Sequence, residues 1–305
     1  MDETTLRTLL DGALAGEPPI GPFPDKTVRA AIKARRRRIF SAAGSMAVVA
    51  AFAVAIPVVA GPLGAPPAGR QHPAGTSPLT GSVNVPPPDH SVLRWPMLAK
   101  DRASIVKVTG EATNCDLRAE GAGFVISPQH VLTVAVVADG MTRLHVSSGA
   151  NNVLPAKVVL FDSNTDVAIL YVPHLNAPPL RFTGPAARGS DAVVAGYPQN
   201  GGFRAVAARV GSQWSAKVPN VYHTDTVTQA IYAVRIAVKV GTEGGPLLAK
   251  SGKVYGVIFA RTAPNTGFAL TASAVGPDVR RGARATTPVS THGCPAERPQ
   301  PSPTP

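Results

Sequence analysis

The sequence has few aromatic residues, 5% of the 305 positions, and only two cysteines. Its net charge is +12, but outside residues 1–38 the cations are scattered and form no comparable basic run. Nucleic-acid recognition usually needs clustered arginine and lysine side chains beside stacking aromatics. The pattern therefore argues against a nucleic-acid partner and favours contact with anionic surfaces such as a cell envelope.

Charged residues are absent from residues 39–61, where most positions are Ala, Val, Ile or Phe. The length matches the roughly 20 apolar residues that span a bilayer core, and the run Arg35–Arg38 before it indicates that this side is cytoplasmic. A cleaved signal peptide is the alternative, because small residues follow at Val59, Ala60 and Gly61. The long polar lead before the run favours an uncleaved anchor. We predict a cytoplasmic segment (1–38) and a single transmembrane helix (39–61) in the cell membrane, with the main domain extracellular or periplasmic.

Two stretches have a composition that cannot form a core. Residues 62–97 are rich in Pro, Gly, Ser and Thr, and residues 281–305 end in a similar Pro-rich tail. Such chains are extended and solvated. Residues 98–280 between them contain many short runs rich in Val and Ile, including His130–Val137, separated by turn residues and with no long amphipathic helical period. This pattern predicts one all-β domain, built as a sandwich or as barrels.

A glycine-rich run, Gly241-Thr242-Glu243-Gly244-Gly245-Pro246, precedes one of the predicted strands. Glycines and a proline suit a tight turn that presents one side chain outward while backbone N–H groups converge beside it as an oxyanion hole. An ordinary hairpin turn between two strands is the alternative. The choice between the two depends on three other stretches: Glu120–Ile126, Val131–Gly140 and Phe161–Leu170.

In their order along the chain, these stretches resemble the motifs of the trypsin-like serine proteases. Glu120–Ile126 resembles the E-G-S-G-F-V strand, and Val131–Gly140 resembles V-[ML]-T-N-A-H-V-V-x-G. Phe161–Leu170 resembles D-P-x-x-D-[LV]-A-[VI]-L, and the glycine-rich run resembles the G-[ND]-S-G-G-P loop. Over about residues 98–295, the chain also resembles the membrane-anchored periplasmic acid-resistance proteases of actinobacteria. The resemblance implies two six-stranded antiparallel β-barrels.

The resemblance assigns the general base to Val136, the carboxylate that orients it to Asp166 and the nucleophile to Glu243. Valine accepts no proton, and glutamate is a poor nucleophile with no base to hydrolyse its product. No catalytic residue is intact, so we predict an inactive homologue rather than an enzyme. An active endopeptidase with a non-standard site remains an alternative, and it would need one of four histidines outside the motifs: His130, His145, His174 or His223.

Asp166 has a structural alternative, because a carboxylate that accepts backbone N–H bonds at a barrel junction needs no histidine. If Asp166 approaches Glu243, like-charge repulsion would raise the pKa of one carboxyl group and make the cleft sensitive to pH. Two carboxylates without a third ligand are too few for a metal site. We predict no metal and no cofactor.

The resemblance also implies roles for positions around the site. The oxyanion loop would be Gly241, Thr242 and Glu243, and the strand that pairs with substrate would be Phe259, Ala260 and Arg261. Arg261 would favour an acidic residue in the ligand, unless it is a solvated surface charge. An even cysteine count in an exported protein favours a disulfide, with two unpaired thiols as the alternative, and the resemblance implies a bond between Cys115 and Cys294.

These inferences predict a membrane-anchored pseudoprotease that binds an exported polypeptide or an envelope partner in its cleft. A transmembrane envelope sensor is the alternative, in which residues 1–38 dock a cytoplasmic regulator through a short leucine-bearing helix and a basic one. A stretch this short is also typical of a plain juxtamembrane segment.

Overall fold

Short Val- and Ile-rich runs of this chain form twelve antiparallel strands in two sheets of six. The computed structural model describes residues 83–112, 117–149, 152–198, 201–222, 224–236, 242–263 and 265–293. Within these ranges the strands are β1 (Ile105–Ala112), β2 (Leu117–Ser127), β3 (His130–Thr133), β4 (Arg143–Ser147), β5 (Val153–Asp162), β6 (Val167–Tyr171), β7 (Asp191–Gly196), β8 (Arg204–Pro219), β9 (Thr226–Ile236), β10 (Pro246–Leu248), β11 (Val254–Ala263) and β12 (Thr266–Thr271).

The first six strands close into a barrel in the order β1-β2-β3-β6-β5-β4, with β4 returning to β1. One row of paired residues crosses four of these strands: Ile105, Phe124, Leu132 and Ile169. All four side chains are fully buried. Because cross-strand neighbours lie on the same face of a sheet, this row forms part of the apolar core.

The other six strands form a second closed sheet in the order β10-β11-β12-β9-β8-β7, and Leu247 of β10 pairs with Val194 of β7. Its interior is a separate apolar cluster that includes Tyr232, Leu247 and Ile258. A larger cluster fills the first barrel and continues onto residues of the second, such as Phe259 and Phe268. The two barrels therefore share a continuous hydrophobic contact.

Strands β8 and β9 are longer than the barrel requires and stay paired as far as Pro219 and Thr226. Beyond them, the backbone N–H of Val221 donates to the carbonyl oxygen of Ser163, at 2.9 Å, in the first barrel. The side chain of Gln229 donates to the carbonyl oxygen of Asn164 at 3.1 Å. This hairpin thus ties the second barrel to the turn between β5 and β6.

The longest helix of the described ranges lies where no helix is predicted. It is α3 (Ala272–Gly282), preceded by the short helices α1 (Met97–Asp101) and α2 (Ala135–Ala138). Thr271 caps α3 by accepting the N–H of Ala274 at 3.1 Å, as N-cap threonines commonly do. Gly276 and Pro277 lie inside α3 and weaken its helical pattern. The prediction of one strand over His130–Val137 is wrong beyond Thr133, because the chain turns there into α2.

Two terminal segments pack on the barrels. Val83, Val85 and Val92 are buried against the second barrel, although their stretch has a linker composition. At the other end, the C-terminal segment (residues 283–293) crosses the first barrel, where the N–H of Val289 donates to the carbonyl oxygen of Val158 at 2.8 Å. The folded region therefore extends beyond both predicted boundaries, before residue 98 and after residue 280.

No helix in the described ranges is long and apolar enough to cross a membrane. The predicted span at 39–61, the cytoplasmic segment at 1–38 and most of the Pro-rich linker lie outside those ranges. Cys115 and Cys294 lie outside them as well, so their bond stays a prediction.

Candidate functional site

The position that the resemblance assigns to the general base lies in α2, directly after β3. Val136 is buried, with 2% of its surface exposed. Val134, the N-cap of this helix, offers no side-chain hydrogen bond. Asp166 fills that role from another part of the chain: its carbonyl oxygen accepts the N–H of Ala135 at 3.1 Å, and its Oδ1 accepts the N–H of Val136 at 3.2 Å.

Asp166 itself is fixed by the turn between β5 and β6. Asp162 Oδ1 accepts the N–H groups of Asn164 and Thr165, each at 2.9 Å, in the way that Asp side chains commonly close turns. Asp166 then has a φ of 59°, a left-handed conformation, before β6 begins at Val167. The carboxylate of Asp166 thus accepts the backbone N–H of Val136, as the structural alternative expects.

The glycine-rich loop has the tight turn that its sequence predicts. Gly244 has a φ of 88°. Its N–H donates to the carbonyl oxygen of Ile258 at 2.7 Å, and the N–H of Gly245 donates to the carbonyl oxygen of Thr242 at 2.8 Å. A Cβ atom on Gly244 would lie 2.1 Å from the carbonyl oxygen of Ala122, so only glycine fits.

Strand β2 joins the glycine-rich loop to α2. The N–H of Ala122 donates to the carbonyl oxygen of Glu243 at 2.9 Å. Its carbonyl oxygen accepts the hydroxyl of Thr133, at the end of β3, at 2.8 Å. A Cβ atom on neighbouring Gly121 would lie 2.6 Å from Val137 Cγ2 and 3.1 Å from the carbonyl oxygen of Glu243. The structure thus brings the base segment and the nucleophile loop together across β2.

The three triad positions are all buried: 2% of Val136 is exposed, and 8% of both Asp166 and Glu243. The turn motif predicts an outward side chain at Glu243, and its burial differs from that expectation. Thr242 is also buried, and its hydroxyl has no hydrogen-bond partner within the described ranges. Gly241, the other predicted oxyanion-loop residue, lies outside those ranges.

The predicted ligand strand lies in the later half of β11. Strand β10 pairs with β11 only as far as Val257. On the other side, Ala260 pairs with Phe268 and Arg261 with Gly267 of β12, and the register shifts at Phe259. Phe259 and Ala260 are buried. The described pairing therefore leaves the β10 side of residues 260–261 without a neighbouring strand.

Three of the four alternative histidines lie within the described ranges. Both ring nitrogens of His130 lie 2.8 Å from main-chain oxygens, those of Pro128 and Ala285. His145 lies in β4, opposite Pro155 and Thr109, and His174 follows β6 with a φ of 66°. His223 lies outside the described ranges. Within those ranges, no group of three or more His, Cys, Asp and Glu side chains is placed to hold a metal ion.

Two features of the site are missed by sequence reasoning. One is the cap that Asp166 supplies to α2, which depends on a contact across thirty residues. The other is the hydrogen bond from Thr133 to Ala122. A local signal existed for the turn that holds Asp166, because the run Asp162-Ser163-Asn164-Thr165 is typical of a turn closed by an aspartate side chain.

Two barrels, a glycine-rich loop at their junction and an aspartate beside α2 define the trypsin-like class of peptidase domain. The family model described as "Trypsin-like peptidase domain" matches residues 121–257. A solved structure, the active form of the protease Rv3671c from Mycobacterium tuberculosis, is 38% identical with a TM-score of 0.67, and the alignment covers 74% of this chain and 99% of that one. The chain belongs to the trypsin-like peptidase family.

Two curated sequences show how far the similarity extends. The serine protease Rv3671c of M. tuberculosis is 40% identical over 219 residues, which cover 70% of this chain and 55% of that protein. A probable periplasmic serine endoprotease, DegP-like, of Pseudomonas savastanoi is 32% identical over 149 residues, 47% of this chain and 30% of that protein. The chain thus spans about half the length, or less, of the curated relatives that it matches.

Proposed function

We propose that this chain is a catalytically inactive member of the trypsin-like peptidase family, which binds an exported polypeptide or envelope partner without cutting it. One observation carries the proposal: β2 joins the base segment to the nucleophile loop, but the base position is a buried valine. Its N–H, rather than an imidazole, is bonded to Asp166.

The side chains at the site support loss of hydrolysis. Acyl transfer needs a nucleophile and a base within hydrogen-bonding reach of it, and Val136 has no proton acceptor. A carboxylate at 243 could form only an acyl intermediate that the site cannot hydrolyse. Loss of triad members leaves about 10³-fold to 10⁴-fold acceleration from the oxyanion hole and binding. An anionic side chain on the residue whose N–H belongs to that hole would oppose the developing negative charge.

A binding role is supported by β11. Peptide ligands often add a strand to a sheet, with main-chain hydrogen bonds for affinity and pockets for alternate side chains for specificity. Strand β10 leaves β11 at Val257, so the backbone of residues 260–261 lies at an interrupted sheet edge. A peptide could pair with this edge of β11 without any catalytic residue, so loss of catalysis would leave the ligand site in place.

We further propose that residues 39–61 anchor the chain in a membrane and that the two barrels lie outside the cytoplasm. The charge-free apolar run after Arg35–Arg38 supports the anchor and its direction. The name of the DegP-like relative places that protein in the periplasm. Val83 is already buried, so the described packing begins before the predicted boundary at residue 98.

Peptide binding by the full chain in detergent tests this proposal. The double variant Val136→His with Glu243→Ser supplies a base and a nucleophile, and the sequences that it cleaves in a peptide library identify ligands. We expect the unmodified protein to bind fluorescent copies of those peptides and leave them intact. Adding Asp166→Asn to the double variant is the matched control, because it should abolish cleavage and keep binding. If the unmodified protein binds none of the cleaved peptides, the binding role is wrong.

A further inference from the structure

The surroundings of His130 suit a doubly protonated ring. His130 begins β3, with 5% of its surface exposed. Its Nδ1 lies 2.8 Å from the carbonyl oxygen of Pro128, and its Nε2 lies 2.8 Å from the carbonyl oxygen of Ala285. A neutral imidazole has one donor and one acceptor nitrogen, but an imidazolium has two donors. Since both partners can only accept, the neutral ring must leave one nitrogen lone pair facing a carbonyl oxygen.

The ring of His130 packs against an aromatic side chain. From β6, the Tyr171 ring lies against it with centroids 5.4 Å apart. Lys157 of β5 pairs with Tyr171 one strand further away, and Arg284 precedes Ala285; both side chains are exposed. Exposed cations are well screened by solvent. No ion pair within the described ranges includes His130, so the two carbonyl oxygens dominate its surroundings.

His130 stands where the C-terminal segment leaves α3. Ser127, in the same turn, donates its hydroxyl to the carbonyl oxygen of Ala283 at 2.6 Å. Ser127 and His130 thus hold the carbonyl groups of Ala283 and Ala285, directly after the end of α3. The partial negative charge of a helix C-terminus favours a nearby cation. Beyond this point the carbonyl oxygen of Thr291 accepts the N–H of Gly140, two residues after α2, at 3.2 Å.

We propose that protonated His130 is a clasp that holds the C-terminal segment on the first barrel, and that this segment loosens when His130 loses its proton. In the protonated state the ring donates to Pro128 and to Ala285 at once. Deprotonation removes one of the two bonds and sets a lone pair against a carbonyl oxygen. The segment contacts His130 at Ala285 and reaches Gly140, near α2, at Thr291. Its release therefore uncovers barrel surface next to the triad positions. This inference does not depend on whether the site is catalytically active.

Amide hydrogen exchange of residues 285–293 in the full chain, measured by mass spectrometry, tests the clasp. Rates are compared at about pH 5.5 and about pH 8, which bracket an ordinary histidine titration, after correction for intrinsic exchange. We expect protection to fall about tenfold or more at the higher pH, as the loss of one charge-assisted hydrogen bond implies. Equal protection at both values overturns the proposal.

Three variants separate His130 from other histidines. His130→Gln has a side-chain amide that does not titrate, so protection should be low at both pH values. His145→Gln is the matched control in the same barrel and should keep the pH dependence. His292, within the segment, faces the Tyr222 hydroxyl at 3.0 Å and is the rival titrating group. Persistence of the pH dependence in His130→Gln, or its loss in His292→Gln alone, overturns the proposal.

A measurement on the unmodified protein covers the case in which His130→Gln does not fold. In full chain with ¹⁵N-labelled histidine, the ring nitrogen chemical shifts of His130 report how many protons it carries. We expect both nitrogens to be protonated at the pH where the segment is protected. A single protonated nitrogen there overturns the proposal.

Discussion

The backbone N–H of Val136 donates a hydrogen bond to Oδ1 of Asp166 over 3.2 Å. The carbonyl oxygen of the same aspartate accepts the N–H of Ala135. Together these bonds satisfy two N–H groups in the first turn of α2 that helix geometry leaves unpaired. Asp166 therefore holds the base segment in place whether or not a histidine is present.

Asp166→Ala should destabilise the unmodified protein through loss of the cap on α2, whether or not Asp166 also acts in catalysis. Removing a helix cap costs about 0.5–2 kcal/mol, and we expect a loss in that range in urea unfolding. Asp225→Ala is the control, because the Asp225 side chain is exposed and accepts the N–H of the next residue rather than that of a helix. If the two variants are equally stable, Asp166 has no structural role.

Gly244→Ala should be far more damaging than Gly189→Ala. Both glycines have a left-handed backbone, with φ of 88° and 85°, and alanine there costs about 1–2 kcal/mol. Nothing lies within 4 Å of a Cβ on Gly189, but one on Gly244 would meet the carbonyl oxygen of Ala122 at 2.1 Å. We expect Gly189→Ala to fold with only that cost and Gly244→Ala to lose several kcal/mol or fail to fold. Similar thermal midpoints for the two would contradict the loop geometry.

Asp101→Asn should stabilise the protein at neutral pH. Asp101 is buried, its Oδ2 has no hydrogen-bond partner within the described ranges, and burial raises the pKa of its carboxyl group. A raised pKa in the folded state means that the stability seen below the unfolded value, about 3.9, is lost as pH rises through the folded value. The variant should unfold at a higher temperature near pH 7 and show little gain near pH 3.5. A gain that is independent of pH would contradict this assignment.

Arg281→Gln should destabilise the protein more than Arg280→Gln does. Both arginines lie in the last turn of α3. Arg281 forms an ion pair with Asp278, which is 1% exposed, and bonds to Asp162 at 3.2 Å. Removing it leaves a buried carboxylate without its cation. Because the Arg281 side chain is 63% exposed, we expect about 1–2 kcal/mol rather than the larger cost of a fully buried pair. Equal unfolding free energies for the two variants would contradict a role for this pair.

The strands are predictable because their determinants are local. Short apolar runs between turn residues specify strands, and the glycine-rich run specifies the turn at Gly244. The alignment of Val131–Gly140 with a family motif locates Val136 without any structure. The strands and the turn follow from residue types and their spacing, but the two six-stranded barrels and the triad positions follow from the resemblance to the family.

The features that could not be predicted depend on contacts between distant residues. The stretch Ala135–Ala138 is rich in valine, which favours strands, and becomes helical where Asp166 caps it. Val83 and Val85 lie among prolines, and the second barrel buries them. The burial of Glu243 likewise follows from packing around the loop. No local sequence pattern identifies the distant residues that make these contacts.

Hydrolysis of unfolded casein by the full chain is the most direct test of the central claim, measured beside the variant with Val136→His and Glu243→Ser. We predict that the unmodified protein cleaves nothing above the buffer rate and that the double variant cleaves, because it supplies a proton acceptor at position 136 and a hydroxyl nucleophile at position 243. Cleavage by the unmodified protein that disappears with Asp166→Asn would show that the chain is an active peptidase and that its chemistry uses residues other than Val136 and Glu243.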